Sequence, residues 1–250
     1  MLPILVSLPH CSDHIPHDIR ESVALSEMDL KNHCDLYTSP IFDIPETFQV
    51  KAGFSRLVCD PNRSVDDIKS RDESDNAEFI SDSIPLHSID KKQIYHGVLT
   101  HEEVKKRVKK YHELYHWQLE MYLPMAKFLI DGHSMYNVAP AIYRNAGQQR
   151  PDICLGTRDG TTCKPEHTAF FKEFFEALGY HTEIDVPFKG KYIMERYCSS
   201  NRIPGIQVEF NQRFYTDTKT LEPKHDKITE LNKQMTDLTF SFCREFFPEQ

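Results

Sequence analysis

Short apolar runs alternate with longer charged stretches of helical period along this chain, and that alternation restricts the fold more than any other feature. The runs are Pro3 to Leu8, Phe54 to Cys59, Lys127 to Asp131, Asp152 to Gly156, His181 to Val186 and Gly205 to Phe210. Each is bounded by Pro, Gly, Asp or Asn and reads as a buried strand. Helices are expected over Thr100 to Met121, Pro165 to Leu178 and Pro223 to Phe246. Thr100 with Glu103 spells a capping box, and Pro165 suits a first helical turn. The expected fold class is α/β, one domain over residues 1–250, with a mostly parallel mixed sheet flanked by helices. The aromatic series Phe170, Phe171, Phe174, Phe175 and Phe240, Phe242, Phe246, Phe247 have helical spacing and are assigned to the core.

At 250 residues the chain is long enough for a substantial core, and no run approaches the length of a membrane span. The apolar opening lacks a basic leader and a small-residue cleavage site, so it reads as a strand and the cytoplasm is the expected location. A formal charge of -8 provides no basic footprint for nucleic acid or an anionic membrane. A small-molecule substrate and a monomer or small homo-oligomer are expected instead. The seven cysteines are odd in number and scattered without a C-x-x-C pair, which argues for reduced thiols.

In a parallel sheet, ligands sit beyond the carboxyl ends of the strands, and the polar residues of this chain cluster there. His10 follows the first run and has Asp13 three residues on. His133 follows the third in Asp131-Gly132-His133-Ser134-Met135, where Gly132 is expected to let the backbone bend. Two histidines at two strand ends suit a metal, although for either one alone a solvated turn residue is the commoner explanation. Arg63 offers a bidentate fork for a carboxylate with the Asn62 amide beside it, while Arg56 is expected within a strand, where its charge needs a partner.

Taken together, Val6-Ser7-Leu8-Pro9-His10, Cys34-Asp35-Leu36-Tyr37, Ser55-Arg56, Asp60-Pro61-Asn62-Arg63, Asp131-Gly132-His133-Ser134, Leu155-Gly156-Thr157, Gly160-Thr161-Thr162-Cys163, Phe188-Lys189-Gly190 and Gln207-Val208-Glu209 resemble the N-formylglutamate amidohydrolase family in order and spacing. That family in turn resembles the zinc carboxypeptidases and the aspartoacylase and succinylglutamate desuccinylase enzymes, with a phosphorylase/hydrolase-like fold. The resemblance implies a zinc ion, or another divalent metal, on His10, Asp35 and His133. Carboxypeptidases carry the middle ligand three residues after the first histidine, which keeps Asp13 as the alternative to Asp35. It further implies Glu209 as general base, Arg56 as the group that polarises the scissile carbonyl, and Asn62 with Arg63 as the substrate carboxylate anchor. Lys191 stands where relatives have a second glycine, a departure that bears on acyl-group preference.

His112-Glu113-Leu114-Tyr115-His116 is a literal H-E-x-x-H, the helical zinc-protease motif. Its lysine-rich surroundings and the lack of a familiar third ligand make it the weaker metal site, and the resemblance places His116 facing the pocket without metal. Gly156-Thr157-Arg158-Asp159-Gly160 lacks the Lys-Ser/Thr of a phosphate loop. Cys163 is expected to be buried packing. The function expected is metal-dependent hydrolysis of an N-acyl acidic amino acid. The rivals are a zinc amidase or carboxypeptidase on another acylated amino acid or short peptide, and a metal-free carboxylate-binding protein.

Overall fold

Strands β1 (Ile4–Leu8), β2 (Phe48–Lys51), β3 (Phe128–Met135), β4 (Ile153–Gly156), β5 (Thr182–Ile184) and β6 (Gly205–Asn211) join in one sheet ordered β2-β1-β3-β6-β4-β5. The computed structural model describes residues 1–66, 82–141, 145–198 and 202–248. Strands β2, β1, β3 and β6 run parallel, while β4 pairs antiparallel with β6 and parallel with β5. Every residue of β1, β3, β4 and β6 is buried, which is why their sequences read as continuous apolar runs.

Among the described residues the α-helices are α1 (His17–Arg20), α2 (Glu27–Lys31), α3 (Thr38–Ile41), α4, α5 (Pro165–Ala177), α6 (Tyr192–Tyr197) and α7 (His225–Phe246). Helix α4 comprises His101–Arg107, a π turn at Val108–His112 and Glu113–Tyr122, and it opens on the Thr100/Glu103 capping box. Strand alternation divides the sheet residues between two faces. Ile4, Val6, Leu8, Ile130, Ile206, Val208 and Phe210 pack with Phe171 and Phe175 of α5 and Phe242 of α7. Leu5 and Leu129 pack on the other face with Tyr115 and Leu119 of α4 and Ile193 and Met194 of α6. Asp131, His133, Gln207 and Glu209 therefore belong to the face covered by α4 and α6. All seven cysteines are unpaired, and Cys163 is core packing as expected.

Two local expectations are corrected. Phe54 to Cys59 is a turn, and the edge strand is β2, a few residues earlier. Ser55 organises that turn: its amide donates to the His14 carbonyl (2.7 Å), its carbonyl accepts from Val58 (2.9 Å) and its hydroxyl accepts from Leu57 (3.2 Å). Leu57, Val58 and Cys59 are buried against Tyr95, Val104 and Tyr111, so the run is apolar without being a strand. Arg56 accordingly sits on a turn rather than in a strand. Gly132 does not bend the chain, because β3 runs through it to Met135. A Cβ there would lie 2.6 Å from Leu8 Cδ2 and 3.0 Å from the Phe42 ring, so glycine allows their close approach.

Gly156 performs a similar service at the end of β4, where a Cβ would fall 2.8 Å from Gly190 N and 2.9 Å from the Lys189 carbonyl carbon. Those are backbone atoms and cannot rotate away. Gly156→Ala is expected to cost about 1–3 kcal/mol of stability, the usual range for overpacking, measured as the shift of the urea midpoint at unchanged slope. An unshifted midpoint would show that the Lys189–Gly190 segment moves freely.

Candidate active site

His10 lies two residues beyond β1, and Asp35 is brought to it by the backbone: the Asp35 amide donates to the His10 carbonyl (2.9 Å) and Cys34 Sγ approaches the same oxygen (3.3 Å). His133 is the sixth residue of β3, directly opposite Glu209 of β6 in register. Asp35 Oδ2 lies 2.9 Å from His133 Nδ1 and 3.5 Å from His10 Nδ1. Ligand atoms of His10, Asp35 and His133 all fall within 4.8 Å of one another, and all three residues are buried. Among the described residues no other group of three or more His, Cys, Asp or Glu converges in this way, and Asp13 is outside it.

Each histidine turns its far nitrogen to a second carboxylate. His10 Nε2 is 2.7 Å from Asp60 Oδ1, and His133 Nε2 is 2.9 Å from Asp131 Oδ2. Nδ1 of each ring faces Asp35, and a cation bound there would take the Nδ1 lone pairs and leave Nε2–H to donate to Asp60 and Asp131. This is the arrangement by which proteins orient metal-binding imidazoles and raise their basicity. Two nitrogens and one carboxylate oxygen form a donor set that suits zinc, and such a trio leaves a position for water. The residues present therefore fit a divalent metal.

The electrostatics agree. Burial disfavours charge on Asp35, but hydrogen bonds from His10 and His133 hold it below the usual carboxylate range. Burial likewise opposes ionisation of Asp60, and Arg56, His10 and Arg63 overcome it. His133 is raised well above an ordinary histidine against its own burial, chiefly by Asp131 and then by Asp35 and Glu209. The spot that attracts a proton so strongly is one a cation would satisfy. Glu209 is pushed up to about 8 by burial and by Asp35 and Asp131, while His133 and Arg150 pull the other way. Gln207 Nε2 donates to Glu209 Oε1 (2.9 Å).

The turn from Asp60 to Arg63 carries the remaining groups. Arg56 Nη2 donates to Asp60 Oδ2 (2.6 Å) and Nη1 to His10 Nδ1 (3.1 Å), so its charge has the partner that burial demanded. Asn62 N donates to Asp60 Oδ1 (2.8 Å), Asn62 Oδ1 accepts from the Ile193 amide (2.9 Å), and Asn62 Nδ2 lies 3.3 Å from His133 Nε2. Arg63 Nη1 donates to the Asn62 carbonyl (2.8 Å) and its side chain remains about one-third exposed. Lys191, at the start of α6, is held below the usual lysine range by partial burial and by Arg63 and Arg158, which puts it on the same side as the arginine.

All seven residues named from the sequence gather at this end of the sheet. Asp60, Asp131 and Gln207 were not anticipated as site residues. Asp131 and Gln207 stand two residues before His133 and Glu209 on strands, hence on the same face, a signal that was available. The H-E-x-x-H motif takes no part as a metal site. His112 Nε2 is 2.9 Å from the Arg63 carbonyl, His116 Nε2 is 2.9 Å from the Pro61 carbonyl, and Glu113 is exposed. Since carbonyls only accept, both Nε2 atoms carry protons.

The comparisons with known proteins bear on this arrangement. The chain is similar in fold to the N-formylglutamate amidohydrolase from Ralstonia eutropha JMP134, with a TM-score of 0.83 and 23% identity, covering 98% of this chain and 94% of that one. It is also similar to gene product Atu2144 from Agrobacterium tumefaciens, with a TM-score of 0.67 and 15% identity over 96% of this chain and 91% of that one. No curated protein sequence matches. The sequence profile described as N-formylglutamate amidohydrolase matches residues 2–216. That span, most of the chain and all of the site, places the protein in the N-formylglutamate amidohydrolase family.

Proposed function

We propose that this chain hydrolyses the amide bond of an N-acyl acidic amino acid, foremost N-formyl-L-glutamate to formate and glutamate, with zinc or another divalent metal held by His10, Asp35 and His133. The observation that carries the reading is the pair of Nδ1 atoms directed at Asp35, each with its far nitrogen tied to a buried carboxylate. A divalent ion on these donors would supply Lewis acidity and lower the pKa of water toward 7.

Glu209 takes up the proton released by the attacking water and returns it to the leaving amine. Its raised proton affinity suits that exchange, and the charge of a cation bound beside it would lower that affinity. Gln207 occupies Oε1 and so orients the carboxylate. Arg56 supplies N–H donors to the developing oxyanion, a contribution worth about 3 kcal/mol per donor in comparable sites. Asn62 and Arg63 hold a substrate carboxylate, and the lysine at 191 adds positive charge to that side. The protein is expected to act on a small-molecule substrate. Among the described residues, no helix is long and apolar enough to cross a membrane.

Metal content and turnover test the centre together. His133→Asn keeps a donor beside Asp131 and is expected to fold, yet to lose most of its metal and essentially all hydrolysis. Asp35→Ala should lose metal as well, whereas Asp13→Ala should retain it. Elemental analysis that finds metal retained by the His133 and Asp35 variants but lost from Asp13→Ala would move the site to a carboxypeptidase-like His-x-x-Asp arrangement.

The anchor is tested by Arg63→Lys, which replaces a two-pronged donor with a point charge. With N-formyl-L-glutamate, kcat/KM is expected to fall about a hundredfold, or roughly 2.7 kcal/mol. A substrate with both carboxylates replaced by carboxamides should hardly change in rate. Equal slowing of the two substrates would mean that Arg63 supports the fold and reads no carboxylate.

A further inference from the structure

The H-E-x-x-H motif has no part in metal binding, yet its histidines are among the most buried polar residues of the chain, with His112 at 2% and His116 at 3% exposure. Their rings lie one helical turn apart with centroids separated by 4.3 Å. His112 immediately precedes the regular helix and closes the π turn, a wide turn often found where a helix serves a site. Both Nε2–H groups end on backbone carbonyls of one short segment, Pro61 and Arg63. Asn62 stands between those two carbonyls.

Such a segment needs outside help to hold one conformation. Pro61 has no amide hydrogen, and the turn's other bonds among the described residues, from the Asp60 amide to the Ser83 carbonyl, the Arg63 amide to the Asp60 carbonyl, the Asn62 amide to Asp60 Oδ1 and Arg63 Nη1 to the Asn62 carbonyl, do not reach the Pro61 and Arg63 carbonyls. A buried carbonyl left without a donor is costly, so His116 satisfies that of Pro61, while His112 binds the part-buried Arg63 carbonyl, and together they tie the turn to α4. His116 is itself held: its Nδ1 is 2.8 Å from the Tyr197 hydroxyl, which must donate because Nε2 carries the ring proton. The same helix α6 supplies the Ile193 amide to Asn62 Oδ1, and Tyr192 packs edge-on to His116. Asn62 is thus fixed through its side chain by α6 and through both flanking carbonyls by α4.

We propose that His112 and His116 are positioning residues for substrate recognition: they hold the Arg63 and Pro61 carbonyls and thereby aim Asn62 and Arg63 at the substrate carboxylate, with Tyr197 holding the His116 ring through Nδ1. The inference rests on the reading of Asn62 and Arg63 as that anchor. It assigns the motif a role in specificity in place of the metal chemistry its spelling suggests.

Steady-state kinetics of the metal-loaded enzyme test this, using N-formyl-L-glutamate and its dicarboxamide, with metal content and thermal midpoint measured alongside. His112→Ala and His116→Ala are expected to keep metal and to raise KM for the acidic substrate about tenfold, with kcat within about threefold. The dicarboxamide should lose less than about twofold in kcat/KM. His116→Gln, which retains an N–H donor at similar reach, should recover much of the KM. If the alanine variants fail to fold, Tyr197→Phe decides, with a KM rise of about threefold confined to the acidic substrate. Loss of metal, equal loss on both substrates, or an unchanged KM in folded variants overturns the proposal. Arg63→Lys run in parallel separates the two readings. If it too fails to distinguish the substrates, the anchor is misassigned; if it distinguishes them and the histidine variants do not, the positioning role is wrong.

Discussion

The Asp60 carboxylate is the point on which the site turns. It is buried, and its two oxygens accept from His10 Nε2, the Asn62 amide and Arg56 Nη2, with Arg63 Nη1 at 3.9 Å. One side chain therefore orients the first imidazole, shapes the turn that bears Asn62, and fixes the arginine assigned to the oxyanion. A buried carboxylate is tolerated only when its lone pairs are filled, and removal of one partner of such a pair costs about 3–5 kcal/mol. The dependence runs both ways: the carboxylate needs its donors, and the donors take their directions from it. The candidate metal site and the proposed anchor are consequently coupled through Asp60.

Strands and long helices were legible because burial on both faces leaves an unmistakable sequence pattern. Ile4 to Leu8, Phe128 to Ile130, Ile153 to Leu155 and Gly205 to Phe210 stand where the apolar runs predict them. The same criterion misreads Phe54 to Cys59, whose apolar residues pack under α4 in a turn capped by Ser55. It also misses β2, an edge strand of sequence Phe-Gln-Val-Lys that buries only Val50 fully. Apolar character reports burial, and burial does not require a strand.

The candidate metal residues were readable by resemblance, and two of them by position after apolar runs. Asp60 was visible only as part of a motif, since its bond to His10 spans 50 residues and leaves no local trace. The histidines of the H-E-x-x-H motif were legible as a pattern but not as a role. What distinguishes a ligand from a clamp is the group facing the nitrogen, here carbonyls of a distant turn. Sequence spacing records which side chains share a helix face; it carries no information about what stands opposite.

The site is divided between a rigid half and a conditional half. His133 and Glu209 sit opposite each other on adjacent central strands, where register and the full hydrogen-bond ladder set their separation. His10, Asp35, Arg56, Asn62 and Arg63 lie off the strands, and their places depend on side-chain and loop hydrogen bonds. Loops tolerate sequence change more readily than central strands do. The proposed reaction therefore draws on both halves, with His133 and Glu209 from the sheet and His10, Asp35 and Arg56 from the turns, whereas the proposed anchor, Asn62 and Arg63, lies in the turns alone and is held by α4 and α6. Lys191, the exposed residue that precedes α6, stands two residues from the Ile193 amide that holds Asn62 and off the Ile193 and Met194 positions that pack on β3, so a change there reaches the proposed anchor with the least disturbance of the β3 and β6 pair.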